Sequence, residues 1–149
     1  MIELPGIGKI RNDHVVMRKM GQSYTCREKR ASLTIENDSS SEVAFVRLDG
    51  GFFPAGDACD YSVSIRDEQR GFLLELKGRN MRHAIEQLCR TLKKLSLRYA
   101  KAIVVSSGAQ KIPTGEWQKS QKLFFSSNGV VLVRYPNNTR VSFLTVITS

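Results

Sequence analysis

The chain has 149 residues, one domain's worth, and 41% of them are hydrophobic, enough to build a single core. Lys and Arg outnumber Asp and Glu by 23 to 14, giving a net charge of +9 and favouring a polyanionic partner such as nucleic acid. No apolar run approaches a membrane span, no signal-peptide segment opens the chain, and Cys26, Cys59 and Cys89 lack metal-ligand spacing; a cytoplasmic protein with reduced thiols and no membrane partner is expected.

Residues 1–31 are the least patterned stretch. Pro5, Gly6 and Gly8 break the opening, and Lys9 to Arg30 is basic and loosely periodic, which suits a short helix or an arm. The core is expected over 32–106. Ser32 to Asn37 and Glu42 to Leu48 read as strands, and Gly50, Gly51, Pro54 and Gly56 mark a loop after them. Asp49 suits the turn that begins this loop, and Asp57 is a loop residue.

Cys59 to Arg66 alternates strictly, with Tyr61, Val63 and Ile65 on one face and Asp60, Ser62, Ser64 and Arg66 on the other. Gly71 to Gly78 alternates as well, setting Phe72, Leu74 and Leu76 opposite Leu73, Glu75 and Lys77. If Asp67-Glu68-Gln69-Arg70 is the hairpin loop, Ser62 faces Glu75 and Asp60 faces Lys77, so Asp60, Glu75 and Lys77 share one polar, solvent-accessible patch. A slip of one residue would put Asp60 opposite Leu76 and separate them.

Met81, Ala84, Ile85, Leu88, Leu92, Leu95 and Tyr99 recur at helical spacing, and Asn80 stands where an N-cap belongs. The other face carries Arg82, Arg90, Lys93, Lys94 and Arg98, a candidate nucleic-acid surface or a solubilising face, with Gln87 at the boundary. Lys101 to Ser106 reads as a buried strand running parallel to its neighbour after the helix. Residues 107–149 are expected to hold a helix over Glu116 to Ser126 and a hairpin of Val130 to Tyr135 with Arg140 to Ile147 around Pro136-Asn137-Asn138. The two histidines, His14 and His83, form no cluster with the cysteines.

The chemistry follows from the residue types. Two carboxylates and a backbone carbonyl, that of Leu76, are hard oxygen ligands suited to magnesium or manganese, which keep several waters. Such a cation activates water and neutralises charge on a phosphodiester in the transition state, while a lysine orients the attacking water. Glu36 and Glu28 are the upstream acids that could complete the set, with Asp49 behind them. An Asp at a strand entry and an outward Glu-x-Lys pair are also the ordinary furniture of a half-exposed hairpin.

The order of strand, Asp-bearing strand, Glu-x-Lys strand, amphipathic helix and strand, with CDYSVSIRDEQRGFLLELKG followed by AIEQL, resembles the PD-(D/E)xK phosphodiesterase superfamily over Val43 to Ser106. That resemblance implies an α/β fold with a restriction-endonuclease-like core, a mixed central sheet flanked by helices. It makes Asp60 and Glu75 metal ligands, Lys77 the catalytic lysine and Gln87 the glutamine that one exonuclease-like branch places beside the site. The branch carries a tyrosine four positions later, where this chain has Thr91, and Cys59 stands in place of the superfamily's proline. The expected activity is magnesium-dependent hydrolysis of phosphodiester bonds in DNA. The alternatives are a catalytically silent nucleic-acid-binding or protein-interaction module on the same fold, and a junction resolvase acting as a homodimer.

Overall fold

The computed structural model describes residues 1–77, 80–106 and 113–149, without the side chain of Lys77. Among the described residues, eleven strands and three α-helices are arranged in three layers. The central layer is a six-stranded mixed sheet in the order β10-β9-β8-β7-β6-β3. It is built from β3 (Val15–Arg18), β6 (Val43–Arg47), β7 (Tyr61–Ile65), β8 (Gly71–Lys77), β9 (Lys101–Ser106) and β10 (Val131–Pro136). The pairs from β3 to β8 are antiparallel, and β8, β9 and β10 run parallel.

One face of this sheet is covered by α1 (Met81–Lys94) and α2 (Thr114–Asn128). The hairpin of β1 (Ile2–Leu4) and β2 (Gly8–Ile10) joins that core through Leu4 and Ile10. A three-stranded sheet in the order β11-β5-β4 packs with α3 (Phe143–Thr148) on the other face. Its members are β4 (Ser23–Glu28), β5 (Ala31–Glu36) and β11 (Thr139–Ser142). The alternation read in β7 and β8 sorts side chains between two cores. Tyr61, Val63, Phe72, Leu74 and Leu76 meet the small sheet, and Leu73 meets the helices. The polar face of the β7–β8 hairpin is therefore not open to solvent: Ser62 and Ser64 are buried, and Ser62 Oγ shares a 2.9 Å hydrogen bond with the hydroxyl of buried Tyr99.

Several sequence expectations are corrected. Residues 1–31 hold β1 to β4 and the start of β5, with one short 3-10 helix at Asn12–His14, and form no arm; these strands are short, so their alternation is too brief to stand out among basic residues. The helical spacing through Tyr99 outlasts the helix, which ends at Lys94 with the Leu95 N–H bonded to the Thr91 carbonyl. The C-terminal hairpin does not form. Strand β10 extends the large sheet beside β9 and β11 joins the small sheet beside β5, so the Asn137-Asn138 turn carries the chain between layers. Asn137 holds the turn in place by accepting from Ser32 N–H at 2.8 Å and donating to the Arg30 carbonyl at 2.9 Å. After β11 the β-branched run becomes α3, because Ser142 caps it through Thr145 N–H and Asp38 accepts from Leu144 N–H at 2.9 Å. Capping and tertiary docking override strand propensity here.

The α1 start matches expectation, with the Asn80 side chain accepting from His83 N–H at 3.1 Å. The β7–β8 hairpin keeps a four-residue loop, but the loop is Arg66 to Gln69, since Ile65 N–H bonds to the Arg70 carbonyl. Moving the loop by one position shifts the register by two. Ser62 faces Leu73 and Ser64 faces Gly71, so the predicted pairing of Ser62 with Glu75 is replaced. The reason lies in Arg66, which turns away to β6: its N–H bonds to the Glu42 carbonyl and its guanidinium pairs with the Glu42 carboxylate at 3.1 Å. An even shift preserves which face each residue occupies.

Gly71 permits this hairpin. A Cβ there would stand 2.1 Å from the Val63 carbonyl oxygen, far inside van der Waals distance. Gly71→Ala is expected to cost about 1–3 kcal/mol, read as a lower urea midpoint at unchanged slope; an unchanged midpoint would mean that the strands can part there without cost.

Candidate active site around Asp60 and Glu75

The site begins where the β7–β8 ladder ends. Beyond the Tyr61–Leu74 pair, side chains replace backbone partners. Leu76 N–H donates to Asp60 Oδ2 at 2.7 Å, and Asp60 N–H donates to Glu75 Oε1 at 3.1 Å. The Asp60 carbonyl turns to β6 and accepts from Leu48 N–H at 2.9 Å. What frees the Asp60 amide is the turn after β6: the Leu48 carbonyl accepts from Gly51 and Phe53 N–H, so it is already occupied. Gly50 makes the turn with φ of +73°, a left-handed conformation suited to glycine. Asp49 closes the loop by accepting from Gly56 N–H at 2.5 Å.

Asp60 and Glu75 are thus brought together, as the shared face requires, and both are buried, at 1% and 0% exposure. Among the described residues the solvent-accessible cleft expected over them is not formed, because α1 and the loop before Asp60 cover that face of the sheet. The Leu76 carbonyl lies on the same side, since an extended residue presents its N–H and C=O to one edge. Lys77 ends β8 opposite Ser106, and its side chain lies outside the described residues. Gly78, expected as the strand's last residue, lies outside them too.

Gln87 is buried at 2% exposure on the sheet-facing side of α1. Its Nε2 donates to the Gly56 carbonyl at 3.2 Å, while its Oε1 has no hydrogen-bond partner among the described residues. A buried amide oxygen in that condition is expensive unless water or a cation's hydration shell meets it. Thr91, one turn further on, enters the site as a residue that sequence reasoning did not place there. Its hydroxyl accepts from Cys59 N–H and donates to the Gln87 carbonyl, both at 2.8 Å. The signal for it is its place four residues after Gln87 on one helix face.

The upstream acids do not join this cluster. Glu28 and Glu36 belong to the small sheet on the other side of the core. Glu28 pairs with Arg47, whose guanidinium lies over the Tyr61 ring, and Glu36 is 3.9 Å from Arg140. Among the described residues no group of three or more His, Cys, Asp or Glu side chains is placed to hold a metal ion. The oxygens that could be offered to a cation here are those of the two carboxylates and the Leu76 carbonyl. All are hard oxygens and few in number, which fits magnesium or manganese and not a closed thiolate or imidazole site.

Arg82, Arg90, Lys93, Lys94 and Arg98 are exposed. Lys94 is partly committed, donating to the Asp57 carbonyl at 2.8 Å and lying 5.2 Å from the Phe53 ring centre. A separate groove of about 370 Å³ runs between α1 and α2, lined by Met81, Ile85, Cys89, Leu123 and Phe124 among others; neither carboxylate lines it. No helix is long and apolar enough to cross a membrane among the described residues. Comparison with protein families, curated proteins and solved structures finds no match for this chain.

Burial pushes the thiols of Cys26 and Cys59 well up, with Asp60 adding to both and Glu75 to Cys59. Each stays protonated in the fold and ionises in the unfolded chain above the ordinary thiol value of 9.0. Their contribution is intact below that value and falls as pH rises through it, by about 1.4 kcal/mol per thiol per pH unit at the steepest. Urea titrations from pH 8 to 10 should show the decline, and half-exposed Cys89 should take up a maleimide before the other two. Rapid labelling of Cys59 in the folded chain would contradict its burial.

Proposed function

We propose that the chain is a nuclease of PD-(D/E)xK type that hydrolyses phosphodiester bonds in DNA with Mg²⁺ or Mn²⁺. The observation that supports this reading is the coupling of two carboxylates through adjacent backbone: Asp60 N–H holds Glu75, and Leu76 N–H holds Asp60. A divalent cation is the kind of partner that two buried carboxylates on neighbouring strand positions suit. Asp60, Glu75 and the Leu76 carbonyl would hold it, and when bound it would supply a water activated at neutral pH and neutralise charge on the phosphate.

The chain's own groups do the rest. The two amides fix one oxygen of each carboxylate, so the orientation of both is set before substrate arrives. Lys77 follows the resemblance as the residue that orients the attacking water or meets developing negative charge. Gln87 Oε1, buried without a hydrogen-bond partner among the described residues, would accept from a water. The exposed Arg82, Arg90 and Lys93, within a chain of net charge +9, supply phosphate contacts that hold duplex DNA without reading its sequence.

The burial of both carboxylates favours a second reading, a silent nucleic-acid-binding module in which Asp60 only satisfies the Leu76 amide. Stability and metal binding separate the two. For a nuclease, Mn²⁺ at 100 times its dissociation constant stabilises the wild type by about 2.7 kcal/mol, and Asp60→Asn and Glu75→Gln abolish that gain. Lys77→Ala keeps it, and all three lose plasmid cleavage by about 10²-fold or more. A wild type with no metal-dependent gain in melting temperature and no cleavage would hand the chain to the silent reading.

Surface charge gives an independent check. Reversing Lys93, Lys94 and Arg98 together is expected to flatten the log–log salt dependence of duplex binding by roughly one unit for each phosphate that the helix no longer neutralises. An unchanged slope would return that helix face to solvation alone.

A further inference from the structure

We propose that Thr91 is a positioning residue for the Asp60 carboxylate, setting metal affinity through the backbone that leads into it; the inference rests on the nuclease reading above. Three residues on one stripe of α1 hold the segment that enters the site. Gln87 donates to the Gly56 carbonyl, Lys94 donates to the Asp57 carbonyl, and Thr91 accepts from Cys59 N–H. Their spacing of four and three residues places them in a row along the helix.

Thr91 bonds closest in sequence to Asp60, and its geometry is the most constrained. A hydroxyl has one hydrogen, and here it goes to the Gln87 carbonyl at 2.8 Å, which leaves Oγ1 to accept from Cys59 N–H. The branched side chain has few rotamers in a helix, so Oγ1 is fixed relative to the α1 axis. The side chain is fully buried at 0% exposure, in a position where an apolar residue would otherwise pack. With this bond every backbone polar group of Cys59 and Asp60 has a partner. Cys59 N–H goes to Thr91 and its carbonyl to Asp49 N–H, while Asp60 N–H goes to Glu75 and its carbonyl to Leu48 N–H. Of the four, the Thr91 bond is the one that refers the segment to the helix. Removing it releases the Ala58–Cys59 peptide from α1, so the chain leading into Asp60 is held only by its strand partners, and a displaced carboxylate binds a small, geometrically demanding cation less well.

The test compares the wild type with Thr91→Val, which keeps the shape and removes the acceptor, and Thr91→Ser, which keeps the acceptor. Mn²⁺ alone is titrated into the full chain by calorimetry, and plasmid cleavage is then split into kcat and KM. The expected result is a loss of about tenfold or more in Mn²⁺ affinity and in kcat for Thr91→Val, an unchanged KM for DNA, and recovery by Thr91→Ser. Should Thr91→Val fail to fold, Thr91→Cys replaces the hydroxyl by a weak acceptor and carries the same expectation. Wild-type Mn²⁺ affinity in the folded Val or Cys variant, or an equal loss in Ser and Val, would overturn the positioning role while leaving the nuclease reading intact. A wild type that binds no Mn²⁺ and cuts nothing would remove both together.

Discussion

The parting of β7 and β8 at Asp60 is the constraint on which the candidate site depends. A regular antiparallel ladder would continue past Tyr61 and Leu74 with backbone bonds, giving the carboxylates no amides to hold. Bonds from the segment after β6 prevent this: the Leu48 carbonyl, which would meet the Asp60 amide, is occupied by Gly51 and Phe53 amides, and the Cys59 carbonyl, which would meet the Leu76 amide, accepts from Asp49 N–H. The Asp60 amide must then find another acceptor, and the Leu76 amide another carbonyl. Carboxylates meet both needs, because a buried N–H left without an acceptor costs about 1–3 kcal/mol. The acidic residues are thus held by the fold's own backbone accounting, and a turn on a neighbouring strand decides where they stand.

That arrangement carries an electrostatic consequence. Asp60 and Glu75 sit between a sheet and a helix, where charge–charge interactions are stronger than in water. The effect reaches neighbours: both carboxylates help hold the Cys59 thiol protonated. Well-packed apolar replacements of buried charged groups are often neutral or stabilising, so the burial of these two is weak evidence for a contribution to stability. An Asn or Gln at these positions keeps shape and hydrogen-bonding capacity while removing the charge, which makes the amide variants the informative ones.

The strands that bear the site are legible because Cys59 to Ile65 and Gly71 to Leu76 alternate without interruption, and alternation fixes faces even when register is misjudged. The loop between them begins one position earlier than alternation alone implies. Nothing local distinguishes Arg66 as a loop residue; its departure from the strand is caused by Glu42, which is distant in sequence. Asn80 announces the start of α1 through local capping chemistry, and β9 is announced by its run of apolar residues. The small sheet is only half visible. Strand β5 is patterned, but β4 and β11 are short and partly exposed, and their partners are set by a turn docked on Ser32 and a cap made by Asp38. Burial of the polar face is hidden for the same reason: whether Asp60, Ser62 and Ser64 meet water depends on what α1 and the preceding loop cover. Thr91 shows the limit most clearly, since a threonine inside a helix has many ordinary uses and its acceptor role emerges only with Cys59 opposite.

Burial of the carboxylates also constrains how a phosphodiester could meet them. In the β-sheet beneath, β8 is held to β9 from Phe72 to Lys77 and to β7 as far as Leu74, so access from that direction requires the strands to separate. The segment from Gly56 to Cys59 is held against α1 by three side-chain-to-backbone bonds, each worth about 1 kcal/mol net. Residues 54–57 are exposed, with Gly56 in a left-handed conformation at φ of +90°. Local opening of this segment is therefore far cheaper than any movement of the sheet. It would also uncover Asp60 from the side on which Lys94 stands, so an approaching phosphate would compete for the lysine that helps keep the segment closed. On the nuclease reading, binding of a polyanion and exposure of the carboxylates would be coupled through Lys94, on the energetic scale of a single charge-assisted hydrogen bond.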